Sequence, residues 1–264
     1  MPEGHTIHRL ARDHNAVLRG KALRLSSPQG RFASEAAALD GRVLVRVRPY
    51  GKHLFYELGD DVIHVHLGLY GKFETYPQPA PAPVGAVRLR IATDTHVVDL
   101  RGPTQCARIR LEERDAVLAR LGPDPLDPKA DVTAFRRAVA RRATPIGVLL
   151  LDQTAIAGVG NVFRAEALYL LGIAPQRPAS ALTAAEADAL WGTLVRLMRT
   201  GVRLNRIVTT DPADRDRRSG RPSDADRNYL WRRTGLPCRR CGELVRSAEL
   251  GARTAYWCPG CQPG

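Results

Sequence analysis

Long apolar runs are missing from the 264-residue sequence, and charged residues occur throughout its first twenty positions. A bilayer span needs about 20 consecutive apolar residues, so the sequence predicts neither a membrane anchor nor a signal peptide. Internal repeats are also missing. A composition of 44% hydrophobic and 25% charged residues argues against a disordered chain, a collagen-like rod and a coiled coil. We therefore expect a soluble cytoplasmic protein with one large domain or two modest ones.

Lysine is scarce, since only four of the forty basic residues are lysines. The four are Lys21, Lys52, Lys72 and Lys129. Against 27 acidic residues the forty cations give a net charge of +13, of which +5 lies in residues 1–120 and +8 in residues 121–264. Such a broad positive surface favours a polyanionic partner, most often nucleic acid. A solvated basic surface without a partner is the alternative.

Cysteine is also rare, and four of the five cysteines fall within the last 27 residues. Cys238, Cys241, Cys258 and Cys261 form two C-x2-C pairs separated by sixteen residues, which is the spacing of a zinc ribbon. Four thiolates would fill a tetrahedral shell, so one structural Zn²⁺ per chain is predicted. Two disulfides are the alternative, disfavoured because no secretion signal is evident. Cys106 is interpreted as a small core residue.

Apolar periodicity divides the first half of the chain into a helix and a β-rich region. Residues 4–19 place their apolar side chains on one face, and Gly20 follows as a C-terminal cap, which predicts a helix. From about residue 42 to residue 112, short alternating runs separated by Gly and Pro predict a β-sandwich or barrel. Pro77 to Pro83 is expected to form a rigid exposed loop.

Three prolines in LGPDPLDP, residues 121–128, predict a linker between domains. Beyond it, the periodicity predicts four helices and then a polar segment, 211–227, that is expected to be mobile. The predicted helices are 131–143, 145–152, 162–171 and 183–200.

The sequence opens with Met-Pro-Glu, and removal of Met1 would expose Pro2 as a secondary amine. An α-amino group has a pKa of about 7.7–8.0 against about 10.4 for lysine, so far more of it is unprotonated at neutral pH. The following helix N-terminus should lower the pKa further. Such an amine is suited to Schiff-base catalysis on a sugar carbon, with Glu3 moving the proton. A Met-Pro start without function is the common alternative.

Two further segments are typical of phosphate binding. In AGVGN, residues 157–161, the glycines predict a tight turn and Asn161 is predicted to cap the next helix, which would make a phosphate site or a helix-turn-helix contact. A plain turn between helices is the alternative. Arg253 lies in the predicted hairpin between the cysteine pairs and could hold a phosphate, or be a solvated surface arginine.

Taken together, six segments resemble the formamidopyrimidine-DNA glycosylase/endonuclease VIII family of base-excision repair enzymes. They run in the same order along nearly the whole chain: MPEGHTIHR, YGKHLFYEL, HVHLGLYGKF, LGPDPLDP, GVLLLDQTAIAGVGNVFRAEALY and PCRRCG…RTAYWCPGCQ. The MPEG opening and the YWCPGCQ ending look more like the endonuclease VIII branch.

The resemblance implies an α+β fold: an N-terminal helix with a β-sandwich, then a helical domain with a helix–two-turn–helix motif and a four-cysteine zinc hairpin. The implied regions are a catalytic domain 1–120, a linker 121–128, a helix–two-turn–helix domain 129–210, a mobile connection 211–235 and a zinc finger 236–264.

The same resemblance implies a bifunctional DNA glycosylase and AP lyase. Pro2 would attack C1′ of the damaged nucleotide, Glu3 would protonate the sugar ring oxygen, and β,δ-elimination would cut the strand. Lys52 would contact the lesion phosphates and assist Glu3. Reaction at C1′ requires the nucleotide to leave the stack, and Leu69 and Tyr70 would fill the resulting gap.

The remaining phosphate contacts implied by the resemblance come from Asn161, Arg253 and His66, with a core histidine as the alternative at His66. The expected partner is damaged double-stranded DNA, with single-stranded or bubble DNA also open, and the protein is expected to be a nucleoid-associated monomer. Oxidised bases are the expected lesions, with pyrimidines preferred to purines. Gly68 replaces the usual polar residue before Leu-Tyr, and segment 99–110 lacks the arginine and phenylalanine of the formamidopyrimidine branch, which leaves opposite-strand contacts open.

Two other functions remain open at this point. One is a DNA-binding zinc protein that recognises damaged DNA without catalysis, and the other is an abasic-site lyase with little base-excision activity. The first differs from the glycosylase at Pro2, because retained Met1 would block the amine. The second differs in its relative activity on abasic and thymine-glycol duplexes.

Overall fold

The computed structural model describes residues 2–263, and Met1, on whose removal the amine chemistry depends, lies outside them. The chain divides into two compact units, residues 1–120 and 121–264. Within residues 2–263, no helix is both long and apolar enough to cross a bilayer.

From Pro2 to Arg120, the first unit contains three helices and eight strands. Its elements are α1 Gly4–Leu18, β1 Arg24–Ser26, α2 Ala33–Leu39, β2 Arg46–Tyr50, β3 His53–Leu58, β4 Asp61–His66, β5 Lys72–Pro77, β6 Val87–Ala92, β7 His96–Arg101, β8 Gln105–Arg110 and α3 Leu111–Ala119. The strands form two antiparallel four-stranded sheets, one in the order β1-β6-β7-β5 and the other in the order β2-β3-β4-β8.

The core of this unit is built from alternate residues of the strands and from one residue per turn of the helix. Strand β3 turns Leu54 and Tyr56 toward the core while His53 and Phe55 take the opposite face. Helix α1 buries Ile7, Ala11, His14 and Leu18, one residue per turn, and three of these join the same apolar cluster. The sheet β2-β3-β4-β8 therefore has an apolar core face and a second face that carries histidines.

The second unit is helical and ends in a two-stranded hairpin. Its elements are α4 Val132–Arg141, α5 Ile146–Leu149, α6 Asn161–Leu170, a 3₁₀ turn Ala179–Ala181, α7 Ala184–Leu204, a 3₁₀ turn Pro212–Asp214, β9 Arg246–Glu249 and β10 Thr254–Trp257. Helix α6 is buried along nearly its whole length and lies between two apolar clusters. One cluster joins α6 to the other helices and the second joins α6 to the cysteine hairpin.

Several sequence-based assignments need correction. Helices α2 and α3 were not predicted. The predicted strand through Glu112 ends at Arg110, whose backbone N–H donates to the Glu113 side chain at 2.8 Å at the start of α3. Asn161 is the first residue of α6 rather than its cap, which is Gly160 in extended conformation. The Asn161 side chain instead donates to the cysteine hairpin. The two C-x2-C pairs and the start of α1 at Gly4 agree with the predictions.

Candidate active site and nucleic-acid interface

The direction of α1 decides where the N-terminus of the chain lies. Just after the helix, the N–H of Gly20 donates to the carbonyl of Leu44, which precedes β2. One turn earlier, Asn15 donates to the carbonyl of Val47 at 2.7 Å and accepts from its N–H at 2.8 Å. Helix α1 therefore runs antiparallel to β2.

This antiparallel packing brings the start of α1 toward the turn that carries Lys52. From Asn15 back to Glu3 the helix spans about 18 Å at 1.5 Å per residue. From Val47 forward to Lys52 the strand spans about 16 Å at about 3.3 Å per residue. The two lengths match, so Glu3 and Lys52 lie at the same end of the first unit, although they are 49 positions apart in the chain.

Pro2 and Glu3 immediately precede the first turn of α1. Glu3 is completely buried, and its backbone carbonyl accepts hydrogen bonds from the N–H groups of Thr6 and Ile7 at the start of the helix. Pro2 is half-buried. A carboxyl held next to a partly accessible proline is the arrangement that a proton-transfer partner of an N-terminal amine requires.

A row of three histidines continues from Lys52 across the second face of the sheet. His53 lies opposite His66 in the β3–β4 register, with 5.0 Å between ring centroids, and Nδ1 of His53 is 2.9 Å from Nε2 of His64. Burial lowers the pKa of His53 to about 3 and of His64 to about 4. The pKa of His66 is lowered by burial and by the positive charge of Lys52. These imidazoles are therefore neutral at pH 7, as hydrogen-bonding groups rather than cations.

The loop from Leu67 to Gly71 follows β4 at this same end. Leu67 is buried and anchors the loop, whereas Leu69 is 43% exposed and Tyr70 is 87% exposed. Gly68 has φ +66°, and a Cβ atom there would lie 1.8 Å from Oγ1 of Thr104. The unexpected glycine thus has a steric cause, and the loop presents two large exposed side chains to solvent.

In the second unit, Asn161 and Arg253 are brought together by the hairpin. Nδ2 of Asn161 donates to the carbonyl of Thr254 at 3.0 Å, and Arg164 donates to the same oxygen at 2.8 Å. Arg253, which directly precedes Thr254, is exposed and forms no ion pair with any residue in 2–263. The buried Oδ1 of Asn161 accepts no hydrogen bond within those residues. Asn161 therefore fixes the hairpin beside the start of α6 and leaves the Arg253 guanidinium outside.

The turn before α6 is closed by one side chain, Gln153. It accepts from the N–H of Gly158 at 3.0 Å and donates to the carbonyl of Val159 at 3.1 Å. Gly158 has φ +86°, a conformation that favours glycine. The closed turn sets the direction in which α6 starts.

The four cysteines Cys238, Cys241, Cys258 and Cys261 fit one tetrahedral metal. Their Sγ atoms all lie within 4.8 Å of one another, with 3.8 Å between Cys238 and Cys261 and 3.3 Å between Cys241 and Cys258. Zinc–sulfur bonds of about 2.3 Å place thiolates about 3.8 Å apart in a tetrahedron. The cysteines can therefore hold one Zn²⁺ with no position left for water, which is a structural site.

The hairpin that carries these cysteines is tied to the helices. The hydroxyl of Tyr169 in α6 lies 3.1 Å from Sγ of Cys238. Gln262 is buried and accepts from the N–H of Cys258 while donating to the carbonyl of Ile173. A change in the order of the hairpin on metal binding is therefore transmitted to α6 and changes the position of Arg253.

Comparison with known proteins covers the chain in three blocks. Residues 1–106 match the formamidopyrimidine-DNA glycosylase N-terminal domain, residues 121–212 match the formamidopyrimidine-DNA glycosylase H2TH domain, and residues 235–264 match the zinc finger found in FPG and IleRS. Endonuclease 8 1 of Mycobacterium tuberculosis is 48% identical over 99% of this chain and 100% of its own length. The chain belongs to the formamidopyrimidine-DNA glycosylase/endonuclease VIII family.

Two further comparisons support this family membership and the fold. A Mycolicibacterium smegmatis protein named DNA-(apurinic or apyrimidinic site) lyase Nei2 is 35% identical over 99% of each chain. The crystal structure of Lactococcus lactis Fpg with N7-benzyl-Fapy-dG-containing DNA superposes with a TM-score of 0.83 at 20% identity over the whole of both chains. The family fold of sheet domain, H2TH region and four-cysteine zinc finger is therefore confirmed.

Within this family framework, the predicted residues form two groups, one in each unit. Pro2, Glu3, Lys52 and His66 lie at one end of the first unit, with the Leu69–Tyr70 loop. Asn161, Arg253 and the metal site lie together in the second.

Sequence reasoning missed three polar residues of the second unit, namely the half-buried Gln153 and the buried Arg164 and Glu166. Arg164 donates to the carbonyls of Gly147, Leu250 and Thr254, and Glu166 accepts from the backbone N–H groups of Tyr229, Leu230 and Trp231. Burial raises the pKa of Glu166. The charges of Arg164 and Glu166 within an otherwise apolar helix were the only signal of their roles.

Proposed function

We propose that the protein is a bifunctional DNA glycosylase and AP lyase of base-excision repair that removes oxidised bases, pyrimidines in preference to purines. The single observation that carries the proposal is the placement of a proline and a buried glutamate at the start of α1, at the same end of the unit as Lys52. Family membership supports the reaction class, and this geometry supports Pro2, Glu3 and Lys52 as the reacting groups.

In the proposed reaction, Met1 is removed and the nitrogen of Pro2 attacks C1′ of the damaged nucleotide. The C1′–N bond to the base breaks, the base leaves with a proton, and an iminium joins Pro2 to the ring-opened sugar. Glu3 protonates the ring oxygen as the ring opens and afterwards moves protons. Loss of a C2′ proton expels the 3′ phosphate, and a second elimination expels the 5′ phosphate.

Phosphate contacts from both units hold the lesion strand. In the first unit the phosphates are bound by Lys52 and His66. In the second unit they are bound by Asn161 and Arg253. The contacts to phosphate carry no sequence information, so they fit an enzyme that must work at any damaged position. The net charge of +13 supplies the long-range attraction.

The exposed pair Leu69 and Tyr70 fills the gap left by the extruded nucleotide. Insertion between base steps requires an apolar or aromatic wedge on a loop that is anchored at its base, and Leu67 provides that anchor. The structural Zn²⁺ keeps the hairpin folded and takes no part in the chemistry. The partner is damaged double-stranded DNA, with single-stranded or bubble DNA as a second substrate form. The protein acts as a nucleoid-associated monomer.

Borohydride trapping on a thymine-glycol duplex tests the proposal, because hydride reduces the iminium to a stable amine. Wild type should give a covalent adduct, whereas Pro2→Gly and Glu3→Gln should give less than about 1% of it. Pro28→Gly, which changes an exposed proline of the same unit, is the matched control and should trap normally. Absence of a wild-type adduct on both abasic and thymine-glycol duplexes would leave a DNA-binding zinc protein. An adduct on abasic DNA alone would leave an AP lyase.

A further inference from the structure

A hydrogen-bonded chain of three side chains crosses the second face of the sheet and ends at His53. Nε2 of Gln105 lies 3.2 Å from Nδ1 of His64, and Nε2 of His64 lies 2.9 Å from Nδ1 of His53. The chain is built by diagonal neighbours across β8, β4 and β3, since Gln105 pairs with His66 and His66 pairs with His53. Each contact therefore follows from the strand register rather than from a loop conformation.

The chemistry of the amide fixes the direction of this chain. A glutamine Nε2 carries only hydrogen atoms to donate, so Nδ1 of His64 accepts. Neutral imidazole has one donor and one acceptor, so Nε2 of His64 carries the proton and donates to Nδ1 of His53. By the same rule, Nε2 of His53 carries its proton. The chain Gln105–His64–His53 thus makes Nε2 of His53 a hydrogen-bond donor.

The environment of His53 keeps its ring neutral and favours an anion beside the ring. Burial lowers the pKa of His53 to about 3, so the ring stays neutral and the directional logic holds at pH 7. Nε2 of His53 has no hydrogen-bond partner within residues 2–263, and the ring is half-buried. The positive charges of Lys52 and Arg120 act on the ring, so the space beside it favours a negative group.

We infer that His53 is a phosphate-contact residue between Lys52 and His66, and that Gln105 and His64 are positioning residues that hold it as the Nε2–H tautomer. The inference rests on the proposed function, which supplies the lesion-strand phosphate. Within that function it adds a neutral, directional donor to the point charge of Lys52. A neutral donor binds a phosphate oxygen with less salt dependence than an added cation would.

Two pairs of variants test the donor and its orientation separately. His53→Gln places an amide N–H near the position of Nε2, and His53→Asn places its amide near Nδ1. Gln105→Glu converts the donor at the end of the chain into an acceptor, which reverses both hydrogen bonds and removes the proton from Nε2 of His53. Gln29→Glu adds the same charge beside Arg88 in the same unit and controls for charge alone.

The readouts are the His53 tautomer by ¹⁵N NMR at pH 7 and the Kd for a duplex with a tetrahydrofuran abasic-site analogue. We expect the Nε2–H form in wild type and the Nδ1–H form in Gln105→Glu. We expect Kd to rise about tenfold in His53→Asn and Gln105→Glu, the value of one hydrogen bond to a charged group, and to change less than about threefold in His53→Gln and Gln29→Glu.

An Nδ1–H tautomer in wild type would overturn the inference, as would equal affinity of His53→Asn and wild type or equal losses in His53→Asn and His53→Gln. Borohydride trapping of wild type in the same series separates this failure from failure of the proposed function. If wild type forms the adduct and the variants bind DNA as tightly as wild type, only the role of His53 is rejected and the proposed function stands. Loss of the wild-type adduct rejects the enzyme whatever the tautomer.

Discussion

The two units of the chain are stabilised by different chemistry. All seven histidines lie in the first unit, where burial lowers the pKa of five of them, and the second unit contains none. The second unit instead contains the four metal-binding cysteines. The two units can therefore be perturbed one at a time, the first by acid and the second by chelation.

Metal removal should give the largest effect, and it should be confined to the second unit. In Cys258→Ser or after chelation, the hairpin loses the bonds that hold Arg253 beside α6, since structural zinc supplies folding free energy directly. We expect hydrogen exchange to rise across residues 236–264, with β3 and β4 unchanged, and DNA affinity to fall at least tenfold. Unchanged affinity after confirmed loss of zinc would show that the hairpin does not position Arg253.

The second largest effect should come from Glu166→Gln, again within the second unit. The carboxylate accepts from Thr209 and from three consecutive backbone N–H groups beginning at Tyr229, and an amide would turn a donor toward some of them. We expect the free energy of unfolding to fall by about 2–4 kcal/mol. Thermal and urea unfolding would measure it, with exposed Glu249→Gln as the control. If the free energy of unfolding falls by less than about 0.5 kcal/mol in Glu166→Gln, the buried carboxylate does not stabilise this unit.

Acidification should destabilise the first unit before the second, whereas metal removal acts on the second unit. The folded pKa values are about 3 for His5 and His53 and about 4 for His14 and His64, against an ordinary value of 6.5. Because the unfolded chain then takes up protons first, the stability of the first unit is complete above pH 6.5 and declines as the pH falls toward 4.

Between pH 6.5 and 5, few carboxylates titrate, so the histidines dominate this window. Hydrogen exchange, corrected for its intrinsic pH dependence, should increase in α1, β3 and β4 and stay constant in α6 and α7. Equal increases in both units would mean that the buried histidines are not the cause.

The smallest effect should come from Arg253→Ala. Arg253 is exposed and bears on no other described side chain, so stability should be unchanged while the Kd for DNA rises about threefold to tenfold and the salt slope falls by about one. Arg246→Ala, at an exposed arginine on the same hairpin, is the matched control and should change Kd less than twofold. Equal losses in the two variants would assign both to general electrostatics.

Residues whose partners are near in sequence could be predicted, and residues whose partners are distant could not. The pattern of α1 and the C-x2-C spacing are local signals, and both appear in the structure. Asn161 was predicted as a helix cap because its partner, the carbonyl of Thr254, is 93 positions away. Glu166 likewise contacts backbone more than 60 positions away.

The same reason explains why the role of His53 is not visible in the sequence. His53, His64 and Gln105 are joined only when β3, β4 and β8 pair in one register. A one-residue shift in either pairing would move these side chains to the other face. Local sequence signals therefore predict the start of α1 and the metal site, whereas the sheet register is needed to find the hydrogen-bonded chain.

In the proposed reaction the nitrogen of Pro2 forms the covalent bond to the lesion sugar, and identifying the attached residue is the sharpest test of this step. Wild-type protein is reduced with borohydride on an abasic duplex, digested, and sequenced by mass spectrometry. We expect a peptide that starts at Pro2 and carries the reduced sugar fragment on that residue. A sugar attached to Lys52 or any other side chain, or an adduct on a chain that retains Met1, would contradict it.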